Sequence, residues 1–115
     1  MQQSRVNVRR VRGAAVIELV GEHDVSTVAS LTDALGKIGP EEARVVDLSA
    51  ATFIDSSILT ALVGAASRDG GAAETVMVAP PRSAAARLFE LTQAAAAMSI
   101  YESADAAVAR VMIRE

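Results

Sequence analysis

The apolar positions of the chain follow two rhythms, alternation and helical spacing, and the order in which they occur predicts its elements. Val6 to Val11 and Ala15 to Val20 read as strands, joined by Arg12-Gly13-Ala14, where glycine supplies the turn conformation of a short antiparallel hairpin. After Gly21-Glu22-His23-Asp24, the residues Val25, Val28, Leu31, Leu35 and Ile38 recur at helical spacing up to Gly39-Pro40, a stop signal. Arg44 to Leu48 is a short Val-rich strand, Ser56 to Ser67 a helix, Gly70-Gly71 a break, and Glu74 to Ala79 another strand. Pro80-Pro81 opens a third helix, Arg82 to Gln93, with Leu88 and Leu91 on its apolar face. Ser99-Ile100-Tyr101 is a candidate last strand, and the segment from Ser103 toward Met112 a capped closing helix.

Strands alternating with helices call for crossover connections and an α/β fold with a largely parallel sheet, made mixed by the opening hairpin. The expectation is four to five strands packed with four helices, in a single domain over residues 1–115 with no linker or repeat. Composition changes one detail. With 51% hydrophobic but only 3% aromatic residues, the core must be filled by Ala, Val, Leu and Ile packed closely between thin layers.

Charge and cysteine content narrow the function. A formal charge of -3 and a pI near 5.1 argue against a general nucleic-acid binder, which needs a basic face to release counterions. Arg5, Arg9, Arg10 and Arg12 cluster near the start, but Val6, Val8 and Val11 intervene, a pattern that protects the outer face of an edge strand. The absence of cysteine removes disulfides, thiolate catalysis and Cys-based zinc sites, and fits a reducing cytoplasm. The start leads into no signal-type apolar core, and no apolar run approaches the roughly 20 residues that span a bilayer. A cytoplasmic protein with no direct membrane insertion is expected.

The chemistry concentrates in Val45 to Ser57, where a buried-strand pattern runs into a turn that presents Asp55, Ser56 and Ser57 together. The apolar spacing that follows places both serines where a helix begins and its free N–H groups face outward, so a hydroxyl there is a good phosphate acceptor. The competing role is plain capping, since Asp and Ser are both preferred for bonding those N–H groups. Asp24 has the same choice, with Ser26 and Thr27 helping to cap the first helix. His23, the sole histidine, reads as a surface turn residue, because consecutive residues such as Glu22, His23 and Asp24 rarely converge on one ion. Gly70-Gly71 lacks the lysine and glycine spacing of a nucleotide cradle. No nucleophile elbow or oxyanion-hole motif is visible, so no enzyme, metal or cofactor is expected.

Gly21-Glu22-His23-Asp24, then Val46-Asp47-Leu48-Ser49, then Phe53-Ile54-Asp55-Ser56-Ser57, resembles the STAS domain of bacterial anti-sigma factor antagonists over almost the whole chain. Family members carry a Gly-Glu-x-Asp turn before the first helix and a strand ending in Asp-Ser-Ser-Gly or Asp-Ser-Thr-Gly before the second. The resemblance implies a STAS-like fold and a non-enzymatic switch in transcription regulation. The unmodified form binds an anti-sigma factor that is also a serine kinase, and phosphorylation releases that partner, with a phosphatase as a further partner. By position Ser57 matches the phosphorylated residue, and Asp24, Asp55, Ser56 and Ser57 form the implied partner-binding edge. One residue departs from the pattern: Ile58 stands where the family has glycine, and isoleucine is β-branched, stiff and bulky. That departure leaves open a STAS binding module without phosphoregulation, in a transporter-associated or sensory scaffold complex. A small-ligand sensor is a third class, because strand ends in open α/β sheets form crevices.

Overall fold

A computed structural model describes residues 4–39, 41–67 and 74–112. The expected stop at Pro40 and break at Gly70-Gly71 lie outside the described residues. The chain opens with β1 (Arg5–Val11) and β2 (Ala14–His23), antiparallel across a two-residue turn. Arg12 and Gly13 both take positive φ, 53° and 88°, the combination that matches the twist of a tight hairpin. A single 3-10 turn, Val25–Thr27, leads directly into α1 (Val28–Gly36). Then come β3 (Arg44–Asp47), β4 (Ala51–Ile54), α2 (Ser56–Ser67), β5 (Thr75–Val78), α3 (Ala84–Thr92), a 3-10 turn at Ala94–Ala97, β6 (Ile100–Tyr101) and α4 (Ala104–Val111).

The sheet runs β1-β2-β3-β5-β6, with β4 added beside the far end of β2. Every pairing except β1 with β2 is parallel. The mixed, largely parallel α/β fold with four α-helices is therefore as expected, but the strand count rises to six among the described residues. The additional one is β4, the strand that the family resemblance implies before Asp55 but the residue pattern does not give: only two of its four residues, Ala51 and Ile54, are buried, so it carries no strand-like apolar run to be read. Two helices also shift. α1 ends at Gly36, two residues short of Ile38, which is nevertheless buried. α3 begins at Ala84 because Arg82 sits at φ 68° and Ser83 caps the helix by accepting from the Ala86 N–H. Leu91 faces solvent at 82% exposure, and Phe89 takes the core position instead.

The core has two layers. Ala15, Ile17 and Leu19 of β2, with Val46, Met77 and Phe89, pack on the side of α1, α2 and α3. Val16, Val45, Val76 and Val78 pack beneath Val108 and Val111 of α4 on the other side. β5 is buried at all four positions, as a central parallel strand covered on both faces must be. Alanines at 14, 15, 34, 43, 51, 79, 85 and 107 are buried, which lets helices approach the sheet closely where large side chains are scarce. Phe89 is the sole aromatic residue of the buried set and its largest member. Its truncation to Ala leaves a void that alanine neighbours cannot fill, and Phe89→Ala should cost about 3–5 kcal/mol. Urea unfolding of the two proteins side by side checks that value.

Candidate functional site

The site forms at the C-terminal edge of the sheet, where β2 and β4 run parallel. Their register shifts between Gly21 and Glu22, where β4 carries one extra residue, Thr52, and Gly21 stands at φ 89°. Beyond it Glu22 pairs with Phe53 and His23 with Ile54. The next residue on each strand is an aspartate, so Asp24 and Asp55 leave the sheet from neighbouring positions. Each then starts a helical segment, one leading into α1 and the other into α2.

Asp24 caps the 3-10 turn. Its carboxylate accepts from the Ser26 N–H at 2.9 Å and the Ser26 hydroxyl at 2.6 Å, while the Asp24 N–H donates to Thr27 Oγ1 at 3.2 Å. The Ser26 hydroxyl, with the Ser26 N–H behind it, holds the exposed Asp24 carboxyl below the usual carboxylate range. Asp55 caps α2 by accepting from the N–H groups of Ser57 at 2.9 Å and Ile58 at 3.2 Å. The capping role considered for Ser56 and Ser57 thus belongs to the residue before them. Ser56 and Ser57 occupy the first two helical positions; Ser56 is exposed and Ser57 half-buried.

His23 corrects another expectation. It is fully buried, with Nε2 donating to the Val20 carbonyl at 3.0 Å and Nδ1 lying 3.1 Å from Thr27 Oγ1. As the last residue of β2 it follows the strand's alternation inward, and two local partners satisfy its ring. It therefore braces the turn from beneath. Among the described residues, no group of three or more His, Asp or Glu side chains is placed to hold a metal.

A third turn repeats the chemistry of the first two. At the end of β3, buried Asp47 accepts from the Ser49 N–H at 2.9 Å and the Ser49 hydroxyl at 2.6 Å. Asp24-x-Ser26, Asp47-x-Ser49 and Asp55-x-Ser57 are thus three Asp-x-Ser turns with the same backbone hydrogen bond. They differ at the hydroxyl. Ser26 and Ser49 donate theirs to the aspartate, whereas among the described residues the Ser57 hydroxyl makes no hydrogen bond. Asp55 spends the same oxygen on the Ile58 N–H instead.

Ser57 borders an open groove of about 720 Å³ between the start of α1 and the first turn of α2. Val25, Val28, Ala29, Thr32, Asp33 and Thr60 complete its lining. Val25 is 71% exposed and gives the groove an apolar side chain. None of these groove residues other than Ser57 was singled out as a site residue in the sequence, where Val25 and Val28 read as core positions of an amphipathic helix. The signal for Val25 is its place immediately after the cap, before the helix has turned its face inward. Asp24, Asp55 and Ser56 lie outside the lining, the two aspartates capping the helical segments that form its walls. Ile58 points away from all of this: its side chain is fully buried among Leu59, Leu62 and the rest of the core. It adds no bulk beside Ser57.

Comparison with known proteins places this geometry. A family model described as Mlab, STAS domain matches residues 6–100. An anti-sigma factor antagonist from Mycobacterium paratuberculosis is similar over 96% of this chain and 95% of its own, at 28% identity and a TM-score of 0.84. The anti-sigma factor antagonist SpoIIAA, solved in its unphosphorylated form, aligns over 96% of this chain and 99% of its own, at 20% identity and a TM-score of 0.66. A Thermotoga maritima protein aligns over 93% of this chain and 94% of its own, at 17% identity and a TM-score of 0.67. These last two likenesses show the fold. No curated protein matches the sequence.

Two measurements test the caps. Asp55→Ala removes the acceptor of two N–H groups and should destabilise the protein by about 1 kcal/mol, read from urea unfolding. The Asp24 carboxyl titrates lower in the folded chain than in the unfolded one. Its stabilising contribution is therefore full above the ordinary carboxylate value of about 4 and is lost as pH falls through the folded value. Asp24→Asn, which keeps a capping oxygen without a titrating group, should flatten the loss of stability on the acid side, measured by unfolding at stepwise lower pH.

Proposed function

The chain belongs to the STAS domain family, and from that premise we propose that it is an anti-sigma factor antagonist whose hold on its partner is switched at Ser57. In this reading the unmodified protein binds a cognate anti-sigma factor that is also a serine kinase, through the groove between α1 and α2 and the Asp24–Asp55 edge above it. Transfer of a phosphoryl group from ATP to the Ser57 hydroxyl releases the partner and so alters sigma-factor-dependent transcription. The protein acts as a binding module, and the chemistry of the transfer belongs to the kinase. It works in the cytoplasm, with a phosphatase to reset it.

The observation that carries this reading is the hydroxyl that its own turn leaves free. A kinase needs an acceptor oxygen that can be approached in line and deprotonated, and the hydroxyls of Ser26 and Ser49 are engaged by a carboxylate. Position helps as well. At the second residue of α2 a phosphate meets unpaired N–H groups and the positive end of the helix, an effect worth about 0.3–1 kcal/mol when exposed. The fold should therefore tolerate the modification. The groove should not, because the phosphate adds about -1.5 to -2 charge next to Asp55 and on the same groove as Asp33. Like charges brought together across an interface cost several kcal/mol.

Ile58 supports the same reading in one respect, since a side chain turned into the core leaves the approach to Ser57 clear. It also favours a second reading. Anchored there, Ile58 fixes the first turn of α2 and removes the freedom that glycine would leave to a loop being handled by a kinase. A STAS module of this kind without phosphoregulation, serving a transporter-associated or sensory assembly, would use the groove as a constitutive contact.

Binding assays with the cognate anti-sigma factor discriminate the two. Ser57→Ala should keep the affinity of the natural chain, and Ser57→Asp should weaken it at least about tenfold, the equivalent of 1.4 kcal/mol. Equal affinities for the two variants would end the switch reading. With kinase and ATP, peptide mass mapping should find one phosphate on Ser57 and none on Ser26, Ser49 or Ser56. Phosphate on none of the four would favour the constitutive module.

A further inference from the structure

Among the described residues, part of the sheet stays uncovered where it carries charges of both signs. Alternation along β2 sends Ala15, Ile17 and Leu19 toward the three-helix side and Val16, Glu18, Val20 and Glu22 to the other. α4 covers that second side over β3, β5 and β6 and over the end of β2 where Val16 is buried. Further along, Arg5 stands opposite Val20, Arg9 opposite Val16, and Phe53 opposite Glu22. Arg5, Arg9 and Glu22 are exposed, Glu18 and Val20 half-buried, and Phe53 is 50% exposed. Among the described residues the one ion pair is Arg10 with Glu42, on the opposite side of β1, so the four charges of this face are unpaired within the chain. The result is a positive column on β1 beside a negative column on β2.

We propose that this face binds a second copy of the chain, about a twofold axis running along the strands between β1 and β2. Such an axis exchanges the two columns. It lays β1 of each copy across β2 of the other, so that Arg5 and Arg9 meet Glu18 and Glu22 twice while Val20 leaves water. An isologous contact requires a patch that complements itself, and adjacent columns of opposite sign have that property. A partner of one sign would be repelled by half of the face. The arginines also disfavour addition of a further strand along the free edge of β1, which leaves face-to-face stacking, about 10 Å between sheets, as the open mode of contact.

Analytical ultracentrifugation of the full chain across a dilution series should show a monomer–dimer equilibrium that weakens as salt is raised. Arg5→Glu with Arg9→Glu makes the face wholly acidic, and Glu18→Arg with Glu22→Arg makes it wholly basic. Each double variant should lose at least about tenfold in self-association. An equimolar mixture of the two should form a heterodimer, because acidic columns then lie over basic ones. Circular dichroism checks that both are folded; should either fail, the single reversals Arg9→Glu and Glu18→Arg take its place, and each should weaken the natural dimer. A natural chain that remains monomeric at every concentration, or a dimer indifferent to these substitutions, overturns the proposal. Oppositely reversed variants that ignore each other overturn it as well.

Discussion

The parallel pairing of β2 with β4 is the constraint on which the site depends. β4 is only four residues long and touches the sheet through β2 alone, yet its register decides what lies beside what. Because His23 pairs with Ile54, the two aspartates that follow emerge together and two helical segments begin side by side. The extra residue of β4 opposite Gly21 and Glu22 sets this register, and Gly21 takes a positive φ there that a β-carbon would strain. Two carboxylates leaving adjacent strands would repel, but each is absorbed locally by the N–H groups it caps.

Local hydrogen bonding then selects among equivalent side chains. Three Asp-x-Ser turns share one backbone geometry, and a serine hydroxyl in such a turn defaults to the aspartate that already receives its N–H. Ser57 escapes because its turn continues into a regular helix, whose third N–H, that of Ile58, competes for the same oxygen. The burial of Ile58 reinforces this outcome by fixing the first turn of α2 against the core. A residue that departs from the family pattern at the surface motif is, in packing terms, an ordinary core residue.

The sheet itself is asymmetric. Among the described residues, three helices and a larger core lie on one side and α4 alone on the other, where it reaches β3, β5 and β6 but leaves the far part of β1, β2 and β4 open. With a single aromatic residue in the core, close alanine contacts carry much of the packing, and the covered regions are buried with little tolerance for lost volume. The exposed regions carry the charge. Groove and open face lie on opposite sides of the sheet.

Much of this was legible in the chain. The alternation of apolar runs with helical spacing predicted an α/β fold with an opening hairpin, and the cap, helix and glycine signals located most elements to within a few residues, because periodicity and capping are local properties. The run from Asp55 to Ser57 marked a helix start by the same local logic. What the chain did not disclose are matters of pairing. β4 lacks a strand-like apolar run and exists because β2 offers it an edge; His23 is buried because the strand's alternation carries it inward; and the Ser57 hydroxyl is left free where the Ile58 N–H takes the Asp55 oxygen that the hydroxyl would otherwise meet. The groove beside Val25 and Ser57 joins residues more than 30 positions apart. Sequence determines what each segment prefers, whereas register and packing between distant segments decide which side chains meet, since those contacts form only when the whole sheet closes.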